Sequence, residues 1–231
     1  MDSKEIIKQN KDVYNKIAPL FASTRQNIWD DMLLFQKYLK DGYSVLDIGC
    51  GTGRLYHLLD KFQDIDYIGL DQSEGQIEMA KKDFPNTKYV LAEMTKLPFP
   101  DNSFDIIFCI ATLHHLPDEG TRLNALSEMH RVLKPGGYVL LTNWNLFSDS
   151  VGKIVKKGKF KQNDAEFIIP WLSSEGEVLG ERYYYGFKIK ELEALFHRTG
   201  FEVEDQYFSQ KGERVDFNNG HNIVSVLTYN T

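Results

Sequence analysis

Cysteine is nearly missing from this chain: Cys50 and Cys109 are the only two in 231 residues. They form no C-x-x-C pair, which excludes a disulfide framework and a cysteine-built zinc site. Both fall in stretches that read as core or strand end, so they are expected to be reduced bystanders. No apolar run approaches the roughly 18 residues that a membrane-spanning helix needs. The opening residues Met1-Asp2-Ser3-Lys4-Glu5 lack the cationic and apolar regions of a signal peptide, and a cytoplasmic location without a membrane partner is the expectation. Positive charge is also short: 27 Lys and Arg stand against 33 Asp and Glu, a net charge of −6. That balance argues against broad electrostatic binding of nucleic acid, although a local basic patch can still serve it. Internal repeats and low-complexity tracts are absent. What remains is a chain with 42% hydrophobic residues, suited to one domain, residues 1–231, with a full core and a modest insertion.

The chain is organised around Val45-Leu46-Asp47-Ile48-Gly49-Cys50-Gly51-Thr52-Gly53. Three apolar residues and one acid read as the end of a buried strand, and the alternating glycines turn it into a helix near Arg54. Lacking Cβ, Gly49, Gly51 and Gly53 can take positive φ and bring backbone against a bound molecule. A helix start beyond them would present free N–H groups and a positive dipole end, so an anionic group is expected to dock there. Arg54 occupies the place of the third glycine of a dinucleotide fingerprint, which disfavours nicotinamide cofactors, and no Gly-Lys-Ser/Thr follows to make a triphosphate cradle. Glycine loops also occur as plain strand-to-helix turns.

Strand and helix patterns then alternate. Strands are expected at Val45 to Ile48, Tyr67 to Leu70, Lys88 to Leu91, Phe104 to Ile110 and Tyr138 to Thr142. Helices are expected up to Lys61, over Ser73 to Asp83 and over Thr121 to Leu133. The fold class is therefore α/β, a Rossmann-like doubly wound sheet with right-handed crossovers that binds ligands at its carboxyl edge. After a helix over Lys188 to Thr199, capped by Gly200, strands Phe201 to Phe208 and Asn222 to Tyr229 bring the count to seven, mostly parallel with the last antiparallel, joined by a turn-rich link from Lys211 to Gly220. Residues 1–40 read as a helical cover, interrupted at Pro19 and resumed from Trp29 to Lys40. Residues 143–187 lose periodicity and read as an insertion over the site's mouth.

Asp47-x-Gly-x-Gly-x-Gly resembles the first motif of the class I S-adenosylmethionine-dependent methyltransferases. Leu97 to Asp105, Ile110 to Leu116 and Arg131 to Gly137 resemble later blocks in the right order. The resemblance implies S-adenosyl-L-methionine as cofactor, with Asp47, Gly49, Cys50, Gly51 and Gly53 around its methionine portion. Asp71 ends the second strand eighteen positions beyond Gly53, where an acid can accept from both ribose hydroxyls, with Gln72 beside it, although Asp71 can also simply cap the next helix. Glu93 stands where the family commonly carries an aspartate toward the adenine amino group. Met94 and Ile110 complete the expected cofactor wall. His114 and His115 do not make a metal site, because adjacent side chains of an extended strand end point apart and no partner has ligand spacing; His114 or His115 is instead expected to flank the transferred methyl.

The flanks bear on the acceptor. Val13 to Arg25 with Trp29, then Ile169-Pro170-Trp171, then Arg182 to Phe187 leading into Glu191 to Leu195, resemble the tRNA wobble-uridine carboxymethyl methyltransferases, including the domain fused to an AlkB-like oxygenase in animals. Membership implies methyl esterification of 5-carboxymethyluridine, with tRNA as partner and, in eukaryotic members, a small zinc-bearing activator subunit. A carboxylate of pKa about 4 is already anionic at neutral pH and needs no base. It needs a cation and aromatics: Arg25 and Arg182 to fork onto it, and Tyr14, Trp144, Trp171 or Tyr183 to stack an extruded base. The run from Gly152 to Lys161 offers five lysines for phosphate contacts. The alternative is a small-molecule O-, N- or C-methyltransferase that uses the insertion as a lid over an apolar pocket.

Overall fold

The computed structural model describes residues 2–25 and 27–229. In chain order its strands are β1 (Ser44–Ile48), β2 (Asp66–Asp71), β3 (Lys88–Leu91), β4 (Phe104–Ile110), β5 (Leu133–Trp144), β6 (Lys161–Asn163), β7 (Glu166–Leu172), β8 (Val178–Tyr185), β9 (Glu202–Gln210), β10 (Glu213–Val215) and β11 (Asn222–Thr228). The helices are α1 (Ser3–Ser23), α2 (Asp30–Leu33), α3 (Tyr56–Leu59), α4 (Glu74–Asp83), α5 (Glu119–Val132), α6 (Asp149–Lys156) and α7 (Ile189–Arg198).

β1 and β4 are interior strands of the sheet and are mostly apolar because helices cover both their faces. The main sheet has the order β10-β9-β11-β5-β4-β1-β2-β3. β1 to β5 pair in parallel, and β11 runs antiparallel between β5 and β9. The doubly wound α/β architecture and its antiparallel last strand are as the sequence implies. The strand count is not: β10, in the expected turn-rich link, pairs antiparallel with β9 and makes eight. Two hydrophobic layers fill the faces, one including Leu126, Met129 and Phe196, the other Phe35, Leu58 and Phe108.

Three local expectations give way to packing. Pro19 does not interrupt α1, which runs on to Ser23; Ile17 and Ala18 are 1% exposed beside it, and this burial outweighs the proline's local cost. A Cβ on Gly75 of α4 would lie 3.0 Å from the Asn15 carbonyl and 3.2 Å from Ala18, so glycine permits this close helix contact. Neither the stretch after Trp29 nor the stretch after the glycine loop makes a long helix: α2 and α3 have four residues each. Residues 143–187 are also more ordered than their pattern suggests. They form α6 and a separate antiparallel sheet, β6-β7-β8, with Phe167, Ile169 and Tyr184 buried beneath it.

The helical cover and the insertion are joined over the carboxyl edge of the main sheet. Asn10 of α1 uses its amide as a strand would, accepting from the Tyr183 N–H at 2.8 Å and donating to the Tyr183 carbonyl at 3.0 Å. On the other side, Asn15 Oδ1 accepts from Ser73 Oγ at 2.7 Å and the Gly75 N–H at 3.0 Å.

Candidate active site

A cavity of about 1260 Å³, measured to its open mouth, lies between α1, the insertion and the carboxyl ends of β1, β2 and β4. Its floor is the glycine loop. Gly49 has φ +70° and lies so close to Thr112 that an added Cβ would meet that side chain at 2.3 Å. Gly51 has φ +54°, and a Cβ there would meet Gln76 Oε1 and the Phe21 ring in ordinary contact at 3.7 Å. Gly53 faces Tyr89 and belongs to the packing beneath the loop.

Four of the loop's N–H groups are already committed. Those of Gly49 and Cys50 donate to the Leu70 carbonyl, that of Gly51 to Asp71 Oδ2 at 2.9 Å, and that of Gly53 to the Cys50 carbonyl. With α3 a single turn, the positive charge in this corner is a side chain rather than a helix end. Arg54 stacks on Trp29, its guanidinium carbon 3.6 Å from the ring centroid, and Nη1 has no partner among the described residues. Burial, aided by the nearby Arg25, holds its pKa down to about 9, with Asp47 opposing the shift.

Two acids balance this cation. Asp47 is 3% exposed and accepts from Tyr67 Oη at 2.9 Å; burial pushes it up to about 7 despite that hydrogen bond. Asp71 accepts from the Ser73 and Gly51 N–H groups, and burial, opposed by these backbone bonds, raises its pKa. Gln76 Oε1, buried on the same wall, has no partner among the described residues. These groups fit S-adenosyl-L-methionine: carboxyl groups for its ammonium and ribose hydroxyls, an unmet acceptor, and apolar surface from Met94, Ile110 and Leu116. Gln72 and Glu93 also line the cavity. Cys50 lines it too, but burial and the neighbouring Asp47 and Asp71 push its thiol pKa far up, which leaves it unreactive.

The opposite wall is aromatic and cationic. Arg182, 5% exposed on β8, sits 4.9 Å from the Trp171 ring, 5.3 Å from Tyr184 and 5.7 Å from Tyr14. Arg25 lies 5.3 Å from Phe21 and 5.7 Å from the same Trp171. Burial, and then repulsion from Arg182, lowers the Arg25 pKa. Neither arginine has an acidic partner among the described residues, and Nε of each is buried without a hydrogen bond. Two like charges held together in a wall of rings without an acidic partner can take up an anion.

The paired histidines part company. They occupy a 3₁₀ turn rather than an extended strand end, so their rings meet edge to face at 4.7 Å instead of pointing apart. His114 is 0% exposed, accepts the Trp144 N–H at Nδ1 and is not on the cavity wall; His115 is. The Tyr183 carbonyl, 3.0 Å from His115 Nδ1, can only accept, so Nδ1 carries the proton and Nε2 accepts from Tyr14 Oη at 3.0 Å. Burial, with a smaller contribution from Arg182, lowers His115 to about 4.

Of the aromatics, Tyr14 and Trp144 line the cavity, Trp171 backs the arginines, and Tyr183 turns away to Glu166 and Pro117. Trp144 stacks on Tyr184 at 4.9 Å and 17°. Sequence reasoning did not give Arg54 a charge-bearing role or single out Gln76. Arg54 was visible as the residue standing in place of a third glycine; Gln76 carried no signal.

A methyltransferase domain model matches residues 46–141. The chain is 30% identical over 209 residues to the Schizosaccharomyces pombe tRNA (carboxymethyluridine(34)-5-O)-methyltransferase, covering 83% of this chain and 87% of that one. It is 32% identical over 160 residues to the Arabidopsis thaliana protein of the same name, covering 69% of this chain but only 38% of that one. Thus it spans well under half of the plant relative. Among solved structures, an S-adenosylmethionine-dependent methyltransferase from Methanosarcina mazei superposes with a TM-score of 0.68 at 24% identity, covering 85% of this chain and 97% of that one. The chain carries a methyltransferase domain and belongs to the family of the tRNA carboxymethyluridine methyltransferases.

Proposed function

We propose that the protein esterifies a carboxylate, that of 5-carboxymethyluridine at the tRNA wobble position. The observation that carries this reading is the pair Arg25 and Arg182, both without acidic partners among the described residues, on the wall of the cavity whose floor is the glycine loop. Relatives named for that reaction support it.

S-adenosylmethionine, when bound, supplies a methyl group already activated by its sulfonium. The protein's task is therefore alignment, which for well-oriented groups lowers a barrier by roughly 7–11 kcal/mol. Arg25 and Arg182 hold the acceptor carboxylate and fix which oxygen faces the methyl. The rings around them exclude water and strengthen that contact. No proton has to leave the acceptor, in keeping with a cavity whose histidine is neutral and already engaged with Tyr14. Tyr14 and Trp144 are the candidate stacking surfaces for the base. Family membership motivates a small activator subunit as partner; no helix among the described residues is long and apolar enough to cross a membrane.

The test is transfer of labelled methyl from S-adenosylmethionine to tRNA carrying wobble carboxymethyluridine, with mild alkali used to release methanol from an ester. Alkali-labile label that disappears in Arg25→Ala is the expected result. Alkali-stable label would make this a different tRNA methylation. If neither the chain alone nor the chain with an activator transfers label, while the cofactor still binds, a small-molecule acceptor replaces the tRNA reading.

A further inference from the structure

A second groove of about 1070 Å³ adjoins the catalytic cavity, and Trp29 and Trp144 wall both. Its floor contains Asn145, 1% exposed, whose amide N–H groups are spent on the Phe217 carbonyl at 2.8 Å and the Gly220 carbonyl at 3.0 Å. Asn145 Oδ1 has no partner among the described residues. One side is apolar, from Val151 and Ile154 of α6 and Phe160 after it. Lys211 lines the groove, and Lys153, Lys156, Lys157 and Lys159 are exposed on α6 and the turn that follows, with no ion-pair partner among the described residues. Two acids also line it: Asp31 is consumed by Ser209, Gly212 and Asn222, leaving Asp30 as the opposing charge.

An apolar and aromatic slot with Lys211 on its wall matches two parts of one ligand. A flat base stacks on the rings, and its phosphodiester meets Lys211. An apolar peptide would satisfy only the first. We propose that this groove seats the nucleotide next in the RNA to the one in the catalytic cavity. The inference rests on the RNA reading above and adds a second point of recognition, so that transfer depends on the neighbouring nucleotide.

The test compares methyl transfer to the nucleoside 5-carboxymethyluridine and to an anticodon stem–loop carrying it, for the wild type, Phe160→Ala and the surface variant Lys211→Gln. The surface variant guards against a packing defect in Phe160→Ala. Stacking of one base is worth roughly 5- to 150-fold in affinity. The variants are expected to raise KM for the stem–loop by about tenfold, within that range, while transfer to the nucleoside stays at the wild-type rate. Equal loss on both substrates, or none on either, overturns the groove but leaves the esterification reading intact. If the wild type methylates neither substrate, alone or with an activator subunit, the esterification reading fails. The groove is then decided by anisotropy of a labelled trinucleotide: weaker binding by both variants upholds it, and unchanged binding overturns it.

Discussion

Replacing Arg182 with methionine separates a functional cation from a structural one. The guanidinium is 5% exposed, touches three rings, donates weakly to Tyr14 Oη at 3.4 Å and leaves Nε unpartnered. Methionine keeps most of the buried stem and removes the charge. A charge-assisted hydrogen bond contributes about 1.5–3 kcal/mol. Losing a two-bond fork while Arg25 remains should cost about 3 kcal/mol, roughly 10²-fold in kcat/KM. Stability should move little. The lost ring contacts, at about 0.5–2 kcal/mol each, are offset by relief of a buried charge that has no counterion, a penalty of several kcal/mol. A net within about 1 kcal/mol corresponds to a Tm change of about 2–4 °C for a domain of this size. Labelled-methyl kinetics and calorimetry of the unliganded variant measure the two halves. A Tm drop of about 10 °C or more, with activity lost only in proportion to the folded fraction, would refute the reasoning and make Arg182 a packing residue.

Other perturbations reach the remaining groups. Asp71→Asn should weaken S-adenosylmethionine binding by about 10- to 100-fold through the loss of charge-assisted acceptors; unchanged affinity by titration calorimetry would remove Asp71 from the ribose assignment. Asp47 is raised in the folded state from 3.8 to about 7, so the stability it contributes is fully present below its unfolded pKa and is lost as pH rises through that window. Asp47→Asn, which can still accept from Tyr67, should therefore flatten the fall in Tm between about pH 4 and pH 7; an unaltered slope counts against the assignment. His115, held down to about 4, should leave no inflection in the pH profile of kcat/KM at the ordinary histidine value of about 6.5. An inflection there that vanishes in His115→Gln would show the imidazole titrating in catalysis.

The main sheet was legible because its signal is collective. Largely apolar strands at β1 and β4, alternation with helical spacing, and glycines at the strand end all favour one architecture. The readings that failed concerned short elements decided by a few contacts. β10 has three residues and exists because a turn folds it back onto β9. The insertion's strands carry no clean alternation because Arg182, Tyr183 and Tyr184 must serve a cavity, α1 and a small core at once. Local pattern is weakest where a residue has more than one task.

The same distinction governs the site. Its glycine-loop side was readable because chain geometry fixes it: an acid near the end of β1, glycines after it, and an acid at the end of the neighbouring β2, two register steps on across parallel strands. Its acceptor side depends on elements distant in sequence, such as Asn10 docking α1 onto β8 at a separation of 173 residues. Arg25 and Arg182 could be suspected from residue type, but their proximity and lack of acidic partners are tertiary facts. Histidine 114 and histidine 115 show the limit most sharply. Identical and adjacent, they are divided by one 3₁₀ turn, which packs the first against the Trp144 backbone and turns the second to Tyr14 on the cavity wall. Chemistry at this edge of the sheet is set by which side chain the turn releases into the cavity, a choice that composition and spacing leave equal.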